Sequence, residues 1–301
     1  MNARHIQQVV RRIACYDFPW DVTRSLELAL FRTFASPRIG GLLHATGEFE
    51  ARPQKRYDDT DLIVSEIIEN GFESERGQRA IARMNAIHAR FAIRNEDFLY
   101  VLSTFVFEPI HWIDRFGWRS LGAEEAEAWF CFWREVGRRM DMSGLPADRE
   151  SFQAFSRAYE AQYFQAGRAS QGVARATREL FASWFPAPLR PLVRLNIHAL
   201  LDDSLREAFG FPQPARPIRW LAPAVLRTRA RLLRILPRRR TPRLRTRQPH
   251  PSYPAGYEIE ALGTNAGPMQ GCPRMAGAGP QPESGQCSTA GGVRAGGVPP
   301  T

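Results

Sequence analysis

Between residues 21 and 209 the apolar side chains recur at steps of three and four and hardly ever alternate. That is the period of a helix face, so this stretch must bury itself by packing helix on helix. Residues 21–33 read as one helix through Leu26, Leu28, Leu30 and Phe31. Residues 56–70 read as a second. Asp58 and Asp59 lie near its start, where the helix dipole favours negative charge, and Asn70 with Gly71 closes it. Further helices are expected over 78–91, 96–112, 123–140, 148–165 and 170–185. Pro186, Pro188 and Pro191 then turn the chain into 193–209. The segment 96–112 is strongly apolar and is expected at the centre, broken or kinked at Pro109. The expected fold is all-α, a single domain of roughly nine helices.

Past Pro212 the character changes, which suggests a core over 1–212 and a basic extension over 213–264 packed on it. Residues 211–301 hold 14 of the 41 basic side chains and 3 of the 31 acidic ones, a net of +11, which leaves residues 1–210 at −1. The body is therefore neutral. The overall +10 does not signal nucleic-acid binding, and none is expected. Residues 219–240 mix leucines, Trp220 and arginines as a basic amphipathic helix does. Such a helix either packs on the body or lies on a membrane surface as a peripheral contact. From 265 to 301 the chain is mostly Gly, Pro, Ala and Ser, the composition of a disordered tail.

Cys15, Cys131, Cys272 and Cys287 are far apart and form no C-x-x-C. Neither a zinc ribbon nor covalent haem attachment is therefore written here, and the usage suits a reducing compartment. Arg11 and Arg12 are followed by no apolar run, and no segment reaches the ~18 apolar residues of a membrane span. The expected location is cytoplasmic, with membrane contact only at the surface.

Few residues have the chemistry of a site. Ile81, Met84, His88 and Phe91 form one apolar stripe, and His88 has no cysteine or histidine nearby in sequence. Such a histidine is either a satisfied core residue or a lone axial ligand. Arg56 and Thr60 are four apart and share a helix face. With His88 they would supply a nitrogen for iron, a cation for a propionate and a polar group for bound oxygen. Alone, the spacing is equally that of a cap and a surface arginine. Glu108 and His111 form E-x-x-H, half of a di-iron carboxylate motif, and no other histidine has a glutamate three residues before it. Asp114, Arg115 and Arg119 read as structural ion-pairing residues, and Asp202 with Asp203 as a helix cap or a solvated pair.

Six blocks carry a resemblance: KRYDDT (55–60), RAIARMNAIH (79–88), NEDFLYVL (95–102), RFGWR (115–119), FWREVG (132–137) and YPAGY (253–257). In this order and spacing they resemble the MpaB-type oxygenase family, which shares its catalytic domain with bacterial rubber oxygenase, the latex clearing protein. The resemblance spans roughly residues 5–264 and is closer to the MpaB-like branch. It implies the rubber oxygenase fold, residues 1–212 as the catalytic core, haem b as cofactor, dioxygen as co-substrate, and a hydrophobic small molecule of isoprenoid type as substrate. By resemblance His88 matches the proximal haem histidine, and Arg56 and Thr60 match the pocket arginine and threonine. The family's rubber-cleaving members have a lysine directly before that threonine; this chain has Asp59, which reverses a charge and adds a candidate proton relay. Residues 98–107 would wall the substrate channel, or simply pack the core. Two other readings stay open: a non-catalytic helical protein that binds an apolar ligand or membrane, and a non-haem iron oxygenase using Glu108 and His111.

Overall fold

Proline and small polar residues set where the helices begin. In the computed structural model, which describes residues 1–263, all regular structure is helical and no strand occurs among the described residues. The helices are α1 (Ala3–Arg12), α2 (Pro19–Thr33), α3 (Pro37–Ala45), α4 (Glu48–Ala51), α5 (Pro53–Asn70), α6 (Glu75–His88) and α7 (Asn95–Phe116). They continue with α8 (Ala123–Arg139), α9 (Arg149–Tyr163), α10 (Arg168–Ser183), α11 (Arg190–Leu200), α12 (Asp203–Phe209) and α13 (Arg216–Ile235). Pro19 and Pro53 sit in the first turns of α2 and α5, where a missing N–H costs nothing. Ser74 caps α6 by accepting from the Gly77 N–H.

Three expectations need correction. The helix expected over 78–91 starts at Glu75 and stops at His88, so Phe91 lies outside it and His88 is its last residue. The stretch 193–209 is two helices, because Leu201 turns extended and Asp202 then caps α12 by accepting from the Leu205 N–H. Of the break or kink expected at Pro109, the break does not occur: α7 runs through it to Phe116. The Pro109 ring removes the N–H that the Phe105 carbonyl would accept. Trp129 of α8 replaces it, donating its Nε1–H to that carbonyl at 3.0 Å. The disordered tail expected at 265–301 lies outside the described residues.

Helix α7 lies at the centre, packed along α2 and touching α8, α9 and α13. Its Tyr100, Val106 and Ile113 are fully buried. The larger core joins α1, α5, α6, α7 and α8 around Leu62, Ile67, Phe72, Trp129 and Phe132. A smaller one joins α2, α10 and α12, with Phe31 edge-on to Phe209 at 5.4 Å. Of the 98–107 stretch, Leu99, Leu102, Val106 and Phe107 are core side chains.

After α13 the chain returns as a strap across α5 and α6. It opens on the Arg243 N–H, which donates to the Cys15 carbonyl at 2.8 Å. The strap then satisfies the acidic side of α5 residue by residue. Arg245 and His250 bond Asp61, Thr246 bonds Glu69, the Ser252 N–H bonds Asp58, Tyr253 bonds Asp59 and Tyr257 bonds Glu66. Further on, Arg79 and Arg83 of α6 bond Glu260 and the Leu262 carbonyl. Buried carboxylates are costly unless paired, so the strap, together with Gln54, Lys55 and Arg76 from α5 and α6, lets α5 be both acidic and buried.

Candidate active site around His88 and helix α5

Helices α5 and α6 meet at a tight corner. Gly71 takes φ +83°, and a Cβ on Gly77 would fall 1.9 Å from the Gly71 carbonyl oxygen. This close approach lays α6 along α5 and brings His88 near Arg56. Phe98 of α7 meets the His88 ring edge-on, at 5.2 Å between centroids.

His88 Nδ1 is buried and has no hydrogen-bond partner among the described residues. Burial pushes the imidazole pKa down to about 4, and the positive charge of Arg56 pushes the same way. At neutral pH the ring is therefore uncharged, the form that ligates a metal. Arg56 stands over the Phe49 ring at 5.3 Å and bonds the Thr60 hydroxyl, which itself donates to the Arg56 carbonyl. The Arg56 guanidinium forms no ion pair among the described residues, and burial lowers its pKa against the pull of Asp59 and Glu48. A half-buried guanidinium without an ion pair among the described residues thus stands beside an imidazole whose buried nitrogen is unpartnered among them, a cation and a neutral nitrogen that could both serve a bound group.

Asp59 does not stand alone. Lys55 Nζ bonds both its oxygens, at 3.0 and 2.9 Å, and Tyr253 donates its hydroxyl to it. Lys55 also reaches the Gly263 carbonyl at 3.2 Å. The reversed charge at position 59 is thus offset by the lysine one turn earlier, an i,i+4 spacing, and held by the strap, which no local pattern reveals.

Thr60 faces a different space from His88. It lines a cavity of about 130 Å³ between α2 and α5, roofed by strap residues 243–248. Glu27, Tyr57, Asp61 and Phe105 share that lining, and His88 is not part of it. The structure therefore brings Arg56 to both His88 and Thr60 but does not place His88 and Thr60 in one cavity. At about 130 Å³ the cavity is close to the ~150 Å³ that admits one benzene, so it has room for waters or a small ligand, and it falls below the ~300–1,000 Å³ of a cofactor pocket. Glu27, which the sequence reading missed, accepts from the Tyr57 hydroxyl at 2.6 Å and pairs with Arg24 at 2.6 Å. Burial pushes its carboxyl up to about 7, with Arg24 opposing.

The remaining candidates have structural partners. Glu108 faces Arg32 at 3.4 Å, in a cluster with Glu160 and Asp202, and burial pushes it up to about 7. His111 meets Gln153 at 3.1 Å. Among the described residues no three His, Cys, Asp or Glu side chains gather as a metal-holding set. Arg119 pairs with Asp17 and Glu125, while Asp114 accepts from Ser120.

Residues 24–235 match the family described as ER-bound oxygenase mpaB/B'/Rubber oxygenase, catalytic domain. The chain belongs to this family. Among curated mpaB-family relatives, ER-bound oxygenase mpaB' of Penicillium brevicompactum is 29% identical over 247 residues, 76% of this chain and 58% of that protein. ER-bound oxygenase mpaB of Penicillium roqueforti (strain FM164) is 29% identical over 220 residues, 67% of this chain and 74% of that protein. The mpaB of Penicillium brevicompactum is 31% identical over 200 residues, 60% of this chain and 51% of that protein. The chain thus spans between about half and three quarters of the length of the mpaB relatives it matches. The family match includes Arg56, Asp59, Thr60 and His88. Among the described residues no helix is long and apolar enough to cross a membrane.

Proposed function

We propose that this protein is a haem-dependent oxygenase that uses dioxygen on an apolar substrate of isoprenoid type. The observation that carries the reading is the pairing of a neutral imidazole, its Nδ1 buried without a partner among the described residues, with a half-buried arginine that forms no ion pair among them. Haem brings its own nitrogen donors and needs one from the protein, so a single histidine would suffice; among the described residues no three-residue metal set gathers. When bound, haem supplies the redox-active iron that dioxygen needs.

The protein's own groups then divide the work. His88 holds the cofactor through a ring kept neutral by burial and by Arg56. Arg56 offsets a propionate and, through its bond to the Thr60 hydroxyl, fixes that side chain at the cavity lining. Thr60 presents a hydroxyl to the cavity between α2 and α5, whose lining does not include His88. Asp59, Lys55 and Tyr253 form a hydrogen-bonded set able to exchange a proton one residue before Thr60.

The test is dioxygen uptake by the purified, haem-supplied protein with isoprenoid lipids of increasing chain length, followed by mass analysis of the products. Products that gain oxygen atoms in step with dioxygen consumed are expected. Substrate-independent uptake, or none, would contradict the proposal.

A further inference from the structure

Large apolar side chains are concentrated on one part of the surface. Of the eleven that are exposed among the described residues, ten lie between positions 184 and 236. Helix α13 carries the most exposed of them, Ile235 at 80% and Trp220 at 75%. An accidental scatter of single leucines needs no explanation, but a contiguous patch does.

The rotation of α13 is fixed from inside. Arg229 turns toward the body, pairs with the buried Asp21 at 2.9 Å and stacks on Trp20 at 3.9 Å. Ala222 and Ala230 are buried on the same side. The opposite side presents two parallel stripes. Leu221, Val225, Leu232 and Ile235 fall within about 80° of one another at ~100° per residue. Arg227, Arg231 and Arg234 occupy the adjoining sector, with Trp220 among them. These three arginines are exposed, form no ion pair among the described residues, and share a helix that contains no acidic residue. Helix α11 packs against α13, and the turn that leads into it exposes Phe185 and Leu189 as well.

A convex helix with an apolar stripe beside an uncompensated basic one does not enclose a small molecule. A second copy of the chain would set the same unpaired arginines against each other. An anionic lipid surface complements both stripes at once. We infer that α13 is a membrane-surface helix, with Leu221, Val225, Leu232 and Ile235 entering the acyl boundary and Arg227, Arg231 and Arg234 meeting anionic headgroups. This docking holds whether or not the protein binds haem, and it would place an oxygenase where apolar substrates dissolve.

Co-sedimentation of the full chain with vesicles tests the inference. Vesicles of phosphatidylcholine mixed with phosphatidylglycerol should bind it at least ~10-fold more tightly than pure phosphatidylcholine, and high salt should weaken binding. Leu221→Asp with Leu232→Asp should lower binding by at least ~10-fold. Arg227→Gln with Arg231→Gln should lower it by ~10-fold or more on the anionic vesicles alone. All four side chains are exposed, so thermal melting should be unchanged; should the aspartate pair fail to fold, the glutamine pair still decides. No binding of the full chain to anionic vesicles overturns the inference. So does concentration-dependent self-association without vesicles that the aspartate pair abolishes, which would assign the face to a second copy.

Discussion

His88 concentrates the chemistry of this protein, and its cost shows why a ligand is expected there. A buried polar atom without a partner costs about 1–3 kcal/mol. The sign of the pH dependence follows from the depressed pKa. With a folded value of about 4 against an ordinary 6.5, the contribution of His88 is fully present above pH 6.5 and is lost as pH falls through 4. At 1.36 kcal/mol per unit this amounts to at most ~3 kcal/mol, less because the ring keeps some exposure. Urea unfolding at pH 7 and pH 4 should show that loss in the haem-free protein and a smaller one in His88→Gln. Replacing Arg56 with Gln removes the second cause and leaves burial, the first. The His88 titration followed by NMR should then move up from about 4 while staying below 6.5. An unmoved titration would mean that the two side chains do not share a site. The sequence showed His88 on an apolar stripe and Arg56 one turn before Thr60. It could not show that, among the described residues, Nδ1 has no partner and Arg56 no ion pair, because both depend on how α6 lies against α5.

At the scale of elements, periodicity exposed most helices, and their errors have local causes. Phe91 fits the stripe of α6 by spacing, yet the helix stops at His88. Helix α7 passes Pro109 because a tryptophan from α8 serves the freed carbonyl, a partner 24 residues away that no local rule finds. Trp129→Phe should therefore cost about 1–3 kcal/mol in unfolding free energy for the unpaired carbonyl alone. The α5–α6 corner is equally specific. Gly77→Ala forces a methyl onto the Gly71 carbonyl and should lower stability by about 1–3 kcal/mol or more, while Gly41→Ala, where nothing lies within 4 Å, should not clash. The strap was the least legible element. Its residues bond carboxylates about 175–195 positions earlier, so the sequence showed only an extension, not what it neutralises. Tyr253→Phe should cost about 1–3 kcal/mol by leaving the buried Asp59 with Lys55 alone. Thermal or urea melts check each of these four variants.

Across the whole molecule, charge is divided rather than balanced. A neutral helical body carries buried ionisable groups whose pH responses oppose one another. Glu27 and Glu108 are both pushed up to about 7 by burial, so the stability they contribute is fully present below pH 4.5 and is lost as pH rises through 7. Glu27→Gln should flatten that decline in unfolding measurements between pH 4.5 and 7.5, and an unchanged slope would place Glu27 in water. The sequence made the neutral body and basic extension plain, but not that one face of α13 stays open while the strap covers α5. The central claim is that His88 holds a haem. Absorption spectra of the purified protein and of His88→Ala, each titrated with haem, test it most directly. The wild type should develop a saturable Soret band with one haem per chain, and His88→Ala should bind far more weakly or not at all. A folded wild type that stays colourless, or a band unchanged in His88→Ala, would contradict the account.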